Sequence, residues 1–260
     1  MDWGTLFTLF PIGIAIGFVA SILGLGGGVF MTPLLLLAGF VSTQPDAAGT
    51  SVGAVVFTGL SASIAYFGRK VIDFRIGLSF MPTAIVGVFL GKHIISSVNP
   101  SWLTIAFGLF LLYPVGMMLL GKTPKDANVR LKGWSSGVRY YFLVAIIGLV
   151  AGVATKLFGI GGGTVFVPSL VVLLGIDIVT AAATSLFVMI PIALISAITS
   201  WTAGTLHWAL AIPLILGIIL GAQVGPRVGK HIPKKRLRQI FGIVLLYAAA
   251  NMVYKGIVSL

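Results

Sequence analysis

The stretch Gly24-Leu25-Gly26-Gly27-Gly28, with Pro33 after it, recurs as Gly159-Ile160-Gly161-Gly162-Gly163, with Pro168 after it. Contiguous glycines let the backbone adopt positive φ and approach a ligand or another helix closely. Each glycine stretch precedes a short apolar run, so the same unusual local structure is predicted twice in the chain.

Further matches extend from these stretches in the same order. After a one-residue adjustment the aligned segments are Ala47-Ala48-Gly49-Thr50-Ser51 over Ala181-Ala182-Ala183-Thr184-Ser185, and Phe107-Gly108 over Phe241-Gly242. Such an ordered series indicates an internal repeat. We therefore divide the chain into an N-terminal repeat at 1–121, a basic linker at 122–139 and a C-terminal repeat at 140–260.

The composition predicts that lipid surrounds most of the protein. Of 260 residues, 58% are hydrophobic and 8% are charged, and the mean hydropathy is +1.12, values far from those of soluble domains. The apolar runs, five in each repeat, lie at 5–23, 29–40, 46–67, 74–95, 102–120, 140–158, 164–175, 178–202, 207–225 and 237–256. We predict an all-α polytopic membrane protein. The N-terminal run lacks the basic leader of a secretory signal, so it is expected to be retained.

The second run of each repeat is too short to cross a bilayer. A helix rises about 1.5 Å per residue and the hydrocarbon core is about 30 Å thick. The runs 29–40 and 164–175 are therefore predicted to be re-entrant or broken helices that begin at the glycines and meet near the membrane midplane.

Basic residues predict how the two repeats are oriented. Fourteen of the seventeen lie in three clusters: Arg69, Lys70 and Arg75; Lys122, Lys125, Arg130, Lys132 and Arg139; and Arg227, Lys230, Lys234, Lys235, Arg236 and Arg238. Cytoplasmic loops are rich in Lys and Arg. With the short runs returning to their starting side, all three clusters lie on one face, both termini are non-cytoplasmic, and the repeats are inverted. This placement also explains most of the net charge of +12, so no nucleic-acid partner is expected.

The glycine stretches are the candidate binding site for a small anion. A helix N-terminus presents free N–H groups and a positive dipole end, which bind anions without a buried base. Inversion would bring the two stretches face to face. The predicted site comprises Gly26, Gly27, Gly28, Val29, Gly161, Gly162, Gly163 and Thr164. The alternative is that the glycines only allow close helix packing in lipid.

The glycine stretches, their downstream prolines and the Thr-Ser segments resemble the TauE/SafE sulfite exporter family along essentially the whole chain. The resemblance implies an inverted-repeat transporter fold and export of sulfite or related anions such as organosulfonates. It also implies roles for Gly24–Gly28, Gly159–Gly163, Thr50, Ser51, Thr184 and Ser185. The hydroxyls could donate to an oxyanion or bond back to their own helix.

Four ionisable residues outside the glycine stretches are weighed separately. Lys156 precedes the second stretch in an apolar segment, where it could contact the anion or extend its ammonium to the outer headgroups. Asp46 and Asp177 precede long helices and are predicted to act near the helix N-termini as caps or dipole partners. The alternative is that a carboxylate near the transport path binds a coupling proton. His93 is a candidate for gating or protonation.

The function predicted from these features is secondary transport of a small anion across the cell membrane by alternating access. The alternatives are a passive anion channel and a membrane enzyme or assembly subunit without transport. The chain has no Cys and no Glu, and it lacks clustered His or acidic residues and a Walker-type loop, so neither an enzyme, a metal site nor a cofactor is expected. The expected partners are the substrate and the lipid bilayer. Whether the protein forms a homodimer is left open by the sequence.

Overall fold

The computed structural model of the protein describes residues 3–119, 138–228 and 234–260, and within these ranges its regular structure is helical. The all-α prediction is therefore confirmed. Most of the predicted linker lies outside the described residues, as do the basic residues Lys122, Lys125, Arg130, Lys132 and Lys230.

The helices of the described residues agree closely with the apolar runs. In chain order they are α1 (Trp3–Leu23), α2 (Gly28–Leu37), α3 (Gln44–Phe67), α4 (Phe74–Ser97), α5 (Pro100–Leu119), α6 (Val138–Phe158), α7 (Gly163–Pro168), α8 (Ile178–Thr202), α9 (Trp208–Val228) and α10 (Lys234–Val258). A π-helical turn, Ser169–Leu173, continues α7.

Eight of the described helices are long and apolar enough to cross a membrane. The other two are α2, with 10 residues, and α7, with 6 residues. At about 1.5 Å per residue, neither reaches across a core of about 30 Å. The short runs are thus confirmed as short helices, each joined to the preceding long helix by a glycine turn.

The glycine turns have nearly the same backbone conformation. We call residues 24–28 the first turn and residues 159–163 the second turn. In both, the first, third and fourth positions have φ between 69° and 86°. A β-carbon makes this left-handed region costly, so glycine is required where the chain leaves a long helix and starts a short one.

Helix packing is reciprocal between the two halves of the chain. The main contacts join α1 to α9 and α4 to α6, while α5 packs on α10 and α3 packs on α8. Exchanging each helix for its repeat counterpart converts the first of these pairs into the second. In the most apolar window of α3, 72% of the residues are buried, a larger share than in any other of the eight long helices. The centre of the bundle is therefore α3 with α8.

Small residues allow the two peripheral pairs to approach closely. Gly17 of α1 lies against the backbone of Ile218 in α9, and Gly152 of α6 lies against the backbone of Ala84 in α4. Backbone contact at glycine is typical of helices that associate in lipid. These glycines fit the packing interpretation.

Acidic residues lie at helix starts, as predicted. Asp177 caps α8, because its carboxylate accepts hydrogen bonds from Val179 N at 2.9 Å and Thr180 N at 3.3 Å. Asp46 lies in the first turn of α3, where the N-cap is Thr43. The Thr43 hydroxyl donates to the Asp46 carboxylate at 2.6 Å.

Candidate functional site

The two glycine turns are in direct contact. A β-carbon on Gly28 would lie 2.8 Å from Ile160 Cα, and one on Gly163 would lie 3.0 Å from the carbonyl carbon of Leu25. Both distances are shorter than an ordinary carbon contact of about 3.5–4.0 Å. The ten residues of the turns are all buried. The structure therefore brings the predicted glycine residues of both repeats together in the interior.

Each turn contains a run of backbone donors without acceptors. The first turn is anchored by Leu25 N, which donates to Ala20 O at 3.1 Å, and the second by Gly159 N, which donates to Thr155 O at 2.9 Å. Among the hydrogen bonds of the described residues, ten N–H groups in and directly after the two turns do not act as donors: those of Gly24, Gly26, Gly27, Gly28, Val29, Ile160, Gly161, Gly162, Gly163 and Thr164.

These unpaired donors are chemically significant because they are buried. Most buried backbone N–H groups in proteins are hydrogen-bonded, and each one left unpaired costs about 1–3 kcal/mol. A ligand with several acceptor oxygens could satisfy a number of them at once. Backbone donors of this kind at helix N-termini are the groups that bind anions in other proteins.

Two hydroxyl groups predicted in the site are also buried without a partner. Thr164 at the start of α7 is 1% exposed, Ser51 in α3 is 0% exposed, and neither hydroxyl has a hydrogen-bond partner among the described residues. The matching serine, Ser185, instead donates to the Gly24 carbonyl at 2.8 Å and so ties α8 to the first turn. Thr164 and Ser51 are free to bind a ligand in a way that Ser185 is not.

The two predicted threonines join the halves to each other. Thr50 Oγ1 accepts a hydrogen bond from His207 N at 3.1 Å, and Thr184 Oγ1 accepts one from Asp73 N at 3.0 Å. Each bond holds the start of a helix in the opposite repeat, α9 or α4. The structure thus gives Thr50 and Thr184 a positioning role that the sequence did not predict.

Lys156 is inside the helix bundle. Its side chain is 4% exposed, and its ammonium group donates to Ser200 Oγ at 2.7 Å. Its β-carbon and stem pack over Gly91 of α4. Burial to this degree does not fit an ammonium that extends to the headgroups. Within the described residues a basic and an acidic side chain meet elsewhere: His207 Nε2 lies 3.3 Å from Asp46 Oδ1, a contact that is an ion pair when His207 is protonated.

The repeat counterpart of this contact has no charge. Tyr66 OH donates to the Ser21 carbonyl at 3.1 Å. Ser21 aligns with Lys156, and Tyr66 aligns with Ser200. Sequence reasoning missed Tyr66 and Ser200, although the repeat alignment contains the signal that pairs them. One half of the molecule therefore has a buried cation where the other half has neutral groups.

Two apolar side chains that the sequence analysis did not single out touch the turns. Val55 of α3 contacts Gly161, and Met189 of α8 contacts Gly26. They occupy matching positions of the repeat, which is the signal that could have identified them.

His93 lies apart from this site. It is exposed near the end of α4, where its carbonyl accepts hydrogen bonds from the hydroxyls of Ser96 and Ser97. Across residues 3–119, 138–228 and 234–260, no group of three or more His, Cys, Asp or Glu residues could hold a metal ion.

Comparison with known proteins identifies similar chains. The family described as Sulfite exporter TauE/SafE matches residues 9–252. The probable membrane transporter protein YunE of Bacillus subtilis (strain 168) is 29% identical over 96% of this chain and 98% of its own length. A probable membrane transporter protein of Xylella fastidiosa (strain Temecula1) is 27% identical over 94% of both chains. YdhB of Bacillus subtilis (strain 168), likewise named a probable membrane transporter protein, is 29% identical over 93% of this chain and 99% of its own length. No solved structure matches with significance.

Proposed function

Because this chain belongs to the sulfite exporter TauE/SafE family, we propose that it exports a small anion, sulfite or an organosulfonate, by alternating access. The family and the named relatives establish the broader class, a membrane transporter and not an enzyme. The eight long apolar helices are those of a multi-pass membrane protein. The substrate and the transport mechanism are our proposal.

The observation that carries the proposal is the set of ten N–H groups, in and directly after two contacting, buried turns, that have no acceptor among the described residues. A sulfite or sulfonate group has three oxygens, each with lone pairs that can accept from these donors. Bonds to a charged acceptor are worth about 1.5–3 kcal/mol each. Such bonds offset the cost of removing the anion from water. The hydroxyls of Ser51 and Thr164 are proposed to complete the site.

Lys156 is proposed to supply the positive charge. A buried ammonium without a carboxylate partner is costly in a membrane protein and usually lies along the path of a charged substrate. Its bond to Ser200 leaves two further N–H donors on the ammonium. The neutral counterpart at Tyr66 and Ser21 makes the two halves electrically unequal. We propose that this asymmetry gives an anion a preferred exit on the side of Lys156.

The halves are proposed to be inverted repeats that move against each other. Reciprocal packing of α1 with α9 and of α4 with α6 supports this arrangement. The paired bonds of Thr50 and Thr184 support it as well, because each connects a central helix to the opposite half. Burial of both turns favours a carrier over a channel, since a continuously open pore would expose them.

The proposed orientation places both termini outside the cytoplasm, with the basic clusters inside. In this orientation Lys156 and Ser200 lie toward the outer side. An inside-negative potential then favours export, contributing about 2.3 kcal/mol per charge per 100 mV.

Flux through proteoliposomes tests the proposal. Purified protein is reconstituted and assayed with sulfite, sulfate, thiosulfate and short sulfonates. We expect saturable transport of sulfite or a sulfonate that responds to membrane potential. Flux that rises linearly without saturation would indicate a channel, and no flux with any of these anions would contradict the proposed substrate class.

A further inference from the structure

Met189 fills the space beside both glycine turns. The side chain is 0% exposed. Its methyl carbon lies where a side chain on Gly26 would begin, and the same carbon is 3.0 Å from the position of a β-carbon on Gly161. Its sulfur is 2.9 Å from the corresponding position on Gly163. One side chain thus contacts three of the seven glycines whose N–H groups have no acceptor among the described residues.

The matching residue in the other half has a shorter reach. Val55 is also 0% exposed, and its Cγ1 contacts Gly161. Valine ends two bonds earlier than methionine, so in this structure it touches the second turn, whereas Met189 touches both. The halves therefore differ at the point where a symmetric site would require equal side chains.

The chemistry of methionine suits a side chain that fills the space beside the turns and moves away when a ligand binds. Its side chain is unbranched and adopts many rotamers, and its thioether is a weak hydrogen-bond acceptor. It excludes water from the turns without satisfying their N–H donors. A branched residue in the same place would be held more firmly, because its rotamers are fewer.

We propose that Met189 is the occlusion residue of the site: its thioether occupies the substrate's place between the turns and changes rotamer when the anion binds. This inference rests on the proposed function. It assigns a specificity-determining role to the length of residue 189, because that length sets how large an anion fits beside Gly26, Gly161 and Gly163.

Shortening the residue tests the assignment. Met189→Val copies the residue at the matching position and should admit larger sulfonates. We expect the ratio of KM for propanesulfonate to KM for methanesulfonate to fall by about tenfold, the lower end of what one methylene contributes in an apolar pocket. Met252→Val is the matched control, because Met252 is a 0% exposed methionine in α10. That control should leave the KM ratio unchanged.

Three outcomes are distinguishable. If wild type transports neither sulfonates nor sulfite, the proposed function fails. If wild type transports them and Met189→Val has the KM ratio of wild type, the occlusion role is wrong and the proposed function stands. If Met189→Val does not fold, NMR spectra of wild type labelled with ¹³C at its methionine methyls test the occlusion role instead. We expect methanesulfonate to shift the Met189 methyl resonance, identified through Met189→Leu. A resonance that stays fixed at saturating substrate would overturn the assignment.

Discussion

Replacement of Gly28 by alanine tests whether contact between the turns is needed for transport. The new β-carbon would overlap the carbonyl oxygen of Gly159 and would lie 2.8 Å from Ile160 Cα, about 1 Å inside an ordinary carbon contact of 3.5–4.0 Å. The obstacle is backbone rather than a movable side chain, so the turns must separate. Overpacking of this kind costs about 1–3 kcal/mol, offset in part by the better helix propensity of alanine, which contributes up to about 1 kcal/mol.

Gly116→Ala is the matched control. Gly116 lies in α5, and a β-carbon there would meet no atom within 4 Å. Its replacement should therefore be neutral or stabilise the protein by up to about 1 kcal/mol. Thermal unfolding in detergent and sulfite flux in proteoliposomes are measured for both variants.

We expect Gly28→Ala to have a lower melting temperature than Gly116→Ala and to lose most transport, because separated turns no longer place both sets of N–H groups around one anion. If the two variants transport equally well, the contact between the turns is not needed for function and the reasoning is refuted.

Three further substitutions test individual groups. Thr164→Val removes a buried hydroxyl that has no partner among the described residues. We therefore expect the free energy of unfolding to rise by about 1 kcal/mol while sulfite affinity falls about tenfold. Unchanged affinity would exclude Thr164 from the site. Lys156→Met should abolish most of the rise in melting temperature that sulfite causes. Lys92→Met, at an exposed lysine of α4, should retain that rise. An equal rise in both variants would exclude Lys156 from the site. Thr184→Val leaves the half-buried Asp73 N without its acceptor and should lower the free energy of unfolding by about 1 kcal/mol, the net value of a typical hydrogen bond. Thr8→Val, at an exposed threonine of α1, should change it little. Similar unfolding of the two variants would show that the bond to Asp73 does not hold α4.

The fold was predictable because, in a bilayer, the length of an apolar run decides whether the run forms a spanning helix. A run such as 178–202 is long enough to span, a run such as 29–40 is not, and only glycine tolerates the positive φ that separates the long helix from the short one. The boundaries of α3, α4 and α8 accordingly agree with the apolar runs to within two residues.

The partners of individual polar groups could not be read from the sequence. Thr50 and Ser51 are neighbours in α3, yet the Thr50 hydroxyl accepts a bond from His207 N while the Ser51 hydroxyl has no partner in the described part of the chain. That difference depends on which helix of the opposite half packs beside each residue. Lys156 had two open interpretations for the same reason, because a sequence does not specify whether a side chain points inward.

Met189 illustrates a different limit. A methionine within an apolar helix has no distinguishing sequence signal, and its position against both turns arises from the packing of α8 on α3. The repeat alignment pairs it with Val55. A comparison of matched positions for unequal size, together with the glycine turns, would have drawn attention to it.

The anion-binding role of the turn amides can be measured directly. In protein labelled with ¹⁵N-glycine, we expect saturating sulfite to move the amide resonances of Gly27, Gly28, Gly162 and Gly163 as their N–H groups gain a charged acceptor. The resonances of Gly39 and Gly204, which lie in exposed turns, should stay in place. Saturable sulfite transport by a protein whose turn amides do not respond to sulfite would contradict the account.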